Sequence, residues 1–214
     1  MKTKVILVRH GQSLGNAKRV LLGHTDLDLS ELGFRQAEAT AEALKDEKID
    51  VVYSSDLKRA MSTARPHAEL RGMEVVGDEG LREVKLGAWE NRSVENIIEE
   101  YGESAYNVDW LGNFGSFTFP GGDSTMGRAK IFYDRLEQLC KKHEGETLLI
   151  ASHAAALRGF FCLVRGYSEE QASKESVFPT NASYSVVYYE DGKFTEEAFS
   201  VDGHLESIGI TKIN

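Results

Sequence analysis

The sequence has few of the residues that cross-link a chain or divide it into separate units. Its 214 residues include two cysteines and three prolines. Cys140 and Cys162 show neither metal-binding nor redox spacing and lie in apolar, helix-like stretches, which excludes a disulfide framework and indicates reduced thiols. No internal repeat, low-complexity tract or Pro/Ser-rich linker interrupts the chain. We therefore expect one domain over residues 1–214.

The sequence is also short of positive charge and of long apolar runs. It has 25 Lys and Arg against 34 Asp and Glu, so its net charge of −9 repels polyanions and argues against nucleic acid as a partner. The first apolar run stops at Arg9, too early for a signal peptide, and the most membrane-like stretch, residues 147–164, contains His153 and Arg158. We expect no membrane partner and a cytoplasmic protein.

Short apolar runs alternate with helical patterns along the chain. The runs at residues 5–8, 51–53 and 147–151 are typical of strands buried on both faces of a mostly parallel sheet. Residues 183–190 and 193–201 flank an Asp-Gly pair, which predicts a C-terminal hairpin. The alternation predicts an α/β fold, a three-layer sandwich with helices on both faces of the central sheet.

The helical patterns have recognisable starting points. Ser30 can cap a helix that runs to about residue 47, and another helix is expected from about Ser124 to residue 143. A third begins after Asp56, which is the predicted cap. Pro66 should bend or shorten that helix.

Residues 101–125 depart from this pattern, because six aromatic residues are interleaved with five glycines there. So many aromatic side chains must be buried against something. Two interpretations stay open: an inserted, lid-like segment over a ligand site, or a small satellite core that never meets a ligand.

Cationic and imidazole side chains follow the predicted parallel strands. Arg9 and His10 follow the first strand, the helix after the second carries Arg59, and His153 follows the third. The carboxyl ends of parallel strands form the ligand edge of an open sheet, so these side chains should converge there. A cationic site in an acidic protein fits a phosphoryl group, because guanidinium groups bind phosphate oxygens bidentately.

The same residues offer a way to break a phosphate ester. His10, a neutral imidazole beside the guanidinium groups, can attack phosphorus and form a phosphohistidine that water then hydrolyses. Glu83 is the best acidic candidate to protonate the leaving alkoxide, because it enters a loop after a predicted edge strand. We expect Arg9, Arg59 and a protonated His153 to stabilise the transferring group.

We expect neither a metal ion nor a cofactor at this site. His24, Asp26 and Asp28 have none of the usual zinc or two-metal spacings and are typical of a turn that leads into the helix capped by Ser30. A metal-dependent hydrolase is the weaker alternative.

Several short motifs occur in a distinctive order. Arg9-His10-Gly11 follows the first strand, with Ser13 and Asn16 shortly after. The others are, in chain order, Leu22-Gly23-His24, Ser54-Ser55-Asp56-Leu57-Lys58-Arg59, Leu81-Arg82-Glu83, Pro120-Gly121-Gly122-Asp123 and Ser152-His153. From about residue 3 to residue 165, this ordered set resembles the histidine phosphatase superfamily, in the branch that includes the cofactor-dependent phosphoglycerate mutases.

The resemblance implies a role for each matching residue. It implies that His10 is phosphorylated and that Glu83 is the proton donor. It also implies that the phosphate contacts are Arg9, Asn16, Arg59 and His153, together with Ser13, Gly23 and the N–H of Ala154. The family commonly has glycine at the position of Ala154, so this chain keeps the N–H and adds a methyl group to the pocket.

Three functions remain to be distinguished within the resemblance: a phosphatase, a mutase and a non-catalytic phosphate-binding domain. A mutase must bind a carboxylated sugar acid, but residues 84–127 hold only two basic residues against seven acidic ones. Val84 and Lys85 stand where the mutases tend to have His and Tyr. Both observations favour a phosphatase with a small-molecule phosphomonoester as its substrate. Binding alone needs neither His10 nor Glu83. The sequence is compatible with a homodimer.

Overall fold

The computed structural model describes residues 1–211, apart from the side chain of Val108. The strands are β1 (Thr3–Arg9), β2 (Val20–Leu21), β3 (Val51–Ser54), β4 (Val75–Gly77), β5 (Arg92–Ser93), β6 (Thr147–Ser152), β7 (Tyr184–Glu190) and β8 (Lys193–Val201). Six of them form a sheet in the order β4-β3-β6-β1-β7-β8. The first four of these pair in parallel, and β7 and β8 complete the sheet as the predicted hairpin. β2 and β5 form a separate antiparallel pair.

The helices are α1 (Leu14–Ala17), α2 (Glu31–Ala43), α3 (Lys58–Glu69), α4 (Val94–Tyr101), α5 (Thr125–Lys142), α6 (Ala154–Val164) and α7 (Glu169–Lys174). Ser30 caps α2 as predicted, and Ser124 caps α5, since each hydroxyl accepts the N–H three residues ahead. Over residues 1–211 none of the helices has both the length and the apolar character that crossing a membrane requires.

The side chains of β1 show why its apolar run is continuous. Val5 and Leu7 belong to the core that contains Phe132 of α5 and Phe160 of α6. Ile6 and Val8 point to the opposite face and join a second core with the alanines of α3. Helices therefore cover both faces of the sheet, and the predicted three-layer α/β sandwich is confirmed.

The predicted cap of α3 is wrong. Leu57 is the N-cap residue and its side chain makes no capping bond. Asp26, from the loop before α2, accepts the N–H of Lys58 at 2.7 Å and takes the capping role from outside the helix. The carboxylate of Asp56 is instead bound by Arg82. The charge-assisted pair of Asp56 and Arg82 is stronger than a helix cap. Asp56 therefore pairs with Arg82, and Asp26 caps α3 in its place.

Pro66 lies inside α3 and does not end it. The helix continues to Glu69 because Ala60 and Ala64 before the proline, and Ala68 after it, are all buried against the sheet. Burial of this apolar face on both sides outweighs the one backbone hydrogen bond that proline cannot donate.

Residues 101–125 contain the end of α4, a π-helix (Ala105–Leu111) and a loop that leads to α5. Their aromatic rings surround Trp89, with centroids 5.7 Å away for Phe117 and 6.3 Å away for Trp110. Phe114 and Phe119 complete this cluster, which is distinct from the two cores of the sheet. The segment thus has a core of its own, and two of its rings also border the cavity described below.

Candidate active site

The carboxyl ends of β1, β3 and β6 lie side by side, because these strands are parallel neighbours in the sheet. A cavity of about 460 Å³ opens at this edge. Of the nine residues predicted for the site, eight border the cavity: Arg9, His10, Ser13, Asn16, Gly23, Arg59, Glu83 and Ala154. The ninth, His153, is fully buried with its ring centroid 5.2 Å from that of His10.

The imidazole of His10 is held as a neutral ring with one nitrogen available. Its Nδ1 donates to the carbonyl of Gly11 at 2.7 Å, so the lone pair belongs to Nε2. Burial, together with the positive charges of Arg59 and Arg9, holds the pKa of His10 well below its usual value of 6.5. An unprotonated Nε2 in a cavity has the free lone pair that a nucleophile needs.

Two buried guanidinium groups face the same cavity. Arg9 donates from Nη1 to the carbonyl of Pro179 at 2.6 Å, while its Nε has no hydrogen-bond partner in the described part of the chain. Arg59 donates to the carbonyls of Gly23 and Thr25, at 2.7 and 3.0 Å. Burial lowers the pKa of each to about 10, so both are charged at neutral pH. Buried charge of this kind is stabilised when an anion binds.

His153 differs from the expectation that it is protonated. Its Nε2 lies 2.8 Å from the hydroxyl of Ser55, and its Nδ1 has no partner within residues 1–211. Burial, then the charge of Arg59, keeps the pKa of His153 well below 6.5. The ring is therefore neutral in the free protein, because no carboxylate contacts it within the described residues to offset desolvation.

Glu83 is fixed at the N-terminus of α6. Its Oε1 accepts the N–H groups of Val84 and Ala156, both at 2.9 Å, and its Oε2 accepts that of Ala155 at 3.1 Å. The N–H groups of Ala155 and Ala156 are among those that a helix leaves unpaired in its first turn. The carboxyl group therefore has one orientation at the cavity wall, beside the N–H of Ala154.

Three contacts position the backbone that carries Glu83. Arg82 binds Asp56 through both carboxylate oxygens, with an Nε–Oδ1 distance of 2.6 Å. Ser152 donates its hydroxyl to the carbonyl of Leu81 at 2.8 Å, and His24 donates from Nε2 to the carbonyl of Glu83 at 2.9 Å. The loop is thereby tied to the ends of both β3 and β6.

Ser13, Asn16 and Gly23 form the opposite wall. Ser13 and Asn16 make a capping box on α1, in which Asn16 Oδ1 accepts from both the N–H and the hydroxyl of Ser13. Asn16 Oδ1 is thus occupied by protein donors. Gly23 has a φ of +51°, and a Cβ there would lie 2.6 Å from a carboxylate oxygen of Glu90, so a side chain at this position would be strained and would displace Glu90.

Asn181 is a site residue that the sequence did not reveal. Its side chain is 1% exposed, borders the cavity and donates to the carbonyl of His10 at 3.0 Å. It precedes β7, which runs antiparallel to β1 and so begins at the edge where the parallel strands end. That topology is the clue that could have drawn attention to it.

The outer part of the cavity is apolar. It is bordered by Leu21, Leu22, Leu86, Val94, Tyr106, Trp110, Phe178 and Ile210. Tyr106 and Trp110 come from the aromatic segment, so its satellite core also reaches the site. Phe114 and Phe117 do not border the cavity.

His24, Asp26 and Asp28 point to different partners. His24 binds the carbonyl of Glu83, Asp26 caps α3, and Asp28 accepts the N–H of Leu29 at 2.7 Å. Over residues 1–211, no group of three or more His, Cys, Asp or Glu side chains is arranged to hold a metal ion.

Comparison with known proteins places this geometry in a family. The model of the histidine phosphatase superfamily (branch 1) matches residues 5–202. The chain belongs to this superfamily. Phosphoserine phosphatase 1 of Hydrogenobacter thermophilus is 34% identical over 205 residues, which are 94% of this chain and 94% of the relative. A metal-independent phosphoserine phosphatase of Arabidopsis thaliana is 35% identical over 210 residues, 97% of this chain and 85% of the relative.

A solved structure agrees with this membership. Phosphoserine phosphatase from Entamoeba histolytica, in complex with 3-phosphoglyceric acid, matches with a TM-score of 0.81 and 28% identity. The match covers 95% of this chain and 99% of that chain. The predicted histidine phosphatase fold and the prediction of a phosphatase enzyme are confirmed.

Proposed function

We propose that this histidine phosphatase hydrolyses small-molecule phosphomonoesters through a phosphohistidine on Nε2 of His10. The observation that carries the proposal is the neutral ring of His10 beside two buried, charged guanidinium groups in one cavity. Relatives named as phosphoserine phosphatases support a phosphatase over a mutase.

In the first step, His10 Nε2 attacks phosphorus while the bond from phosphorus to the ester oxygen breaks. The electron pair of that bond goes to the leaving oxygen, which takes a proton from the carboxyl group of Glu83. In the second step, water attacks the phosphohistidine and the P–N bond breaks. Glu83 takes a proton from this water, so inorganic phosphate is released and the enzyme regains its starting state.

The remaining residues stabilise the phosphoryl group. Arg9 contributes its Nε, which has no partner among residues 1–211, and Arg59 borders the same cavity. The side chains of Ser13 and Asn16, and the N–H groups of Gly23 and Ala154, border the same space. A bound phosphate dianion raises the proton affinity of the neighbouring His153, so this ring becomes a donor when substrate is present. Positive charge is thereby matched to the transferring group.

Labelling of the enzyme tests the proposal. Brief incubation with a radiolabelled phosphoester should give an adduct that acid destroys and base preserves, as expected for a phosphohistidine. His10→Ala should lose both the label and turnover. His143→Ala is the matched control, because His143 lies at the far end of α5 and binds Glu146. Equal labelling of His10→Ala would refute the assignment of the nucleophile.

A further inference from the structure

We propose that the outer, apolar part of the cavity is a leaving-group subsite that selects esters of uncharged, apolar alcohols over esters of amino or carboxylic acids. The inference rests on the proposed phosphatase activity, which supplies the position of the phosphoryl group. Its basis is the charge and packing of the residues that lie beyond Arg9, Arg59 and Glu83.

Charged groups are concentrated at the phosphoryl end of the cavity. Among its described lining residues, the only charged side chains are Arg9, Arg59, Glu83 and Arg19. In the proposed reaction, Arg9 and Arg59 bind the phosphoryl group and Glu83 transfers the proton. Arg19 is 60% exposed at the rim, with its Nη1 3.1 Å from Glu95. A substrate carboxylate would have to compete with Glu95 for a solvated cation, which is a weak interaction.

The walls of the subsite are apolar and already packed. Leu86 and Val94 are buried, and the rings of Tyr106 and Trp110 lie 5.3 Å apart, nearly edge to face. Phe178 closes the third side, 6.0 Å from Trp110. A serine carboxylate placed here would exchange its water for neutral donors such as the Nε1 of Trp110, which has no partner among residues 1–211. The ammonium would meet no carboxylate on these walls, whereas an alkyl or benzyl group would gain contact area.

The ring of Phe178 packs against the guanidinium group of Arg158. The guanidinium of Arg158 lies 4.4 Å from the ring of Phe178 and 4.0 Å from that of Phe114. Arg158 also donates to the hydroxyl of Ser176 at 2.6 Å. The apolar wall is therefore preformed, and substrate binding does not have to order it.

The decisive experiment compares alkyl esters, whose leaving groups all need a proton. Steady-state hydrolysis of benzyl phosphate and hexyl phosphate is measured against O-phosphoserine and 3-phosphoglycerate. We expect kcat/KM to be about tenfold or more higher for the two apolar esters. A higher kcat/KM for phosphoserine, lost in Arg19→Gln, would overturn the proposal and assign the carboxylate to Arg19.

A matched pair of variants tests the wall itself. Phe178→Ala should raise the KM for benzyl phosphate about tenfold and leave methyl phosphate and inhibition by inorganic phosphate unchanged. Phe117→Ala is the control, because Phe117 is half-buried in the same aromatic cluster but does not border the cavity. Equal effects of the two substitutions on KM would contradict the subsite.

Binding without turnover separates this inference from the proposed reaction. Calorimetry with benzylphosphonate and 2-amino-3-phosphonopropionate measures the same preference with groups that cannot be hydrolysed. Tighter binding of benzylphosphonate supports the subsite even in a protein that forms no phosphohistidine. Equal or weaker binding of benzylphosphonate overturns it, even if hydrolysis through His10 is established.

Discussion

The rings of His10 and His153 lie edge to face, 5.2 Å apart, and neither ring carries a positive charge in the free protein. The cause is shared, since burial and the charge of Arg59 lower the pKa of both. A third histidine, His67, is also buried, and burial lowers its pKa to about 3. His10 and His153 belong to the candidate active site, whereas His67 lies on the buried face of α3.

These histidines make the fold sensitive to acid. The unfolded chain binds protons at these positions below about pH 6.5 and the folded chain does not, so stability is complete above that pH and falls as pH drops. Between pH 7 and pH 5, we expect Tm to fall by about 10 °C or more. His67→Leu should remove about a third of this fall and keep activity, because neither ring nitrogen of His67 has a partner in the described residues. An unchanged slope of Tm against pH would contradict the role given to His67.

Replacing Arg59 should lower kcat/KM far more than replacing an arginine at the surface. Arg59→Ala removes a buried charge from the phosphoryl site and should lower kcat/KM on the order of 10²–10³-fold. Arg92→Ala is the comparison, since Arg92 binds Glu100 on the outside of α4. The two variants are compared by steady-state kinetics after thermal melts show that both are folded. Comparable losses would count against Arg59 as a phosphoryl ligand.

Glu83→Gln distinguishes proton donation from positioning. An alkoxide needs a proton to leave, so turnover of an alkyl phosphate should fall on the order of 10²–10⁴-fold. p-Nitrophenyl phosphate has a stable leaving group and should lose much less. Parallel losses on the two substrates would leave Glu83 only a structural role.

The ion pair of Asp56 and Arg82 should affect the rate of hydrolysis by holding Glu83 in position. Asp56→Asn weakens the bidentate contact that holds the Glu83 loop, so it should slow alkyl phosphate hydrolysis by about tenfold and p-nitrophenyl phosphate hydrolysis less. Glu196→Gln is the control, because it weakens a similar bidentate pair, with Arg165, whose two residues do not border the cavity. If both variants behave alike on both substrates, the pair at Asp56 has no special connection to Glu83.

Activity should persist when metal ions are removed. Two guanidinium groups, together with the N–H of Ala154 at the start of α6, supply the positive charge that a metal ion gives in other phosphatases. Dialysis against EDTA should change kcat/KM less than about twofold. A loss that zinc or magnesium restores would require a metal in the mechanism.

The site residues at the carboxyl ends of β1 and β6 were predictable, because in each strand a continuous apolar run ends abruptly at a polar residue. Arg9 and His153 could therefore be placed at the ligand edge by local pattern alone. Asn181 could not, since it reaches the site through the antiparallel pairing of β7 with β1. The exchange of Asp26 for Asp56 at the cap of α3 depends on contacts more than 25 residues apart, about which a local propensity carries no information.

The four residues 178–181 connect substrate choice to the chemistry. Phe178 is a wall of the leaving-group subsite, the carbonyl of Pro179 holds Arg9, and Asn181 holds the backbone of His10. A change that shifts the backbone of this segment is therefore transmitted along three peptide bonds to the groups that hold Arg9 and His10, whereas truncation of the Phe178 side chain leaves those peptide bonds in place. Tyr106 and Trp110 have no such connection along the chain, but they share a core with Val84 and Ala155, whose N–H groups bind Glu83. New substrate preferences are more accessible to evolution through residues 101–125, because a change there reaches Glu83 only through packing and leaves the segment that holds Arg9 and His10 in place.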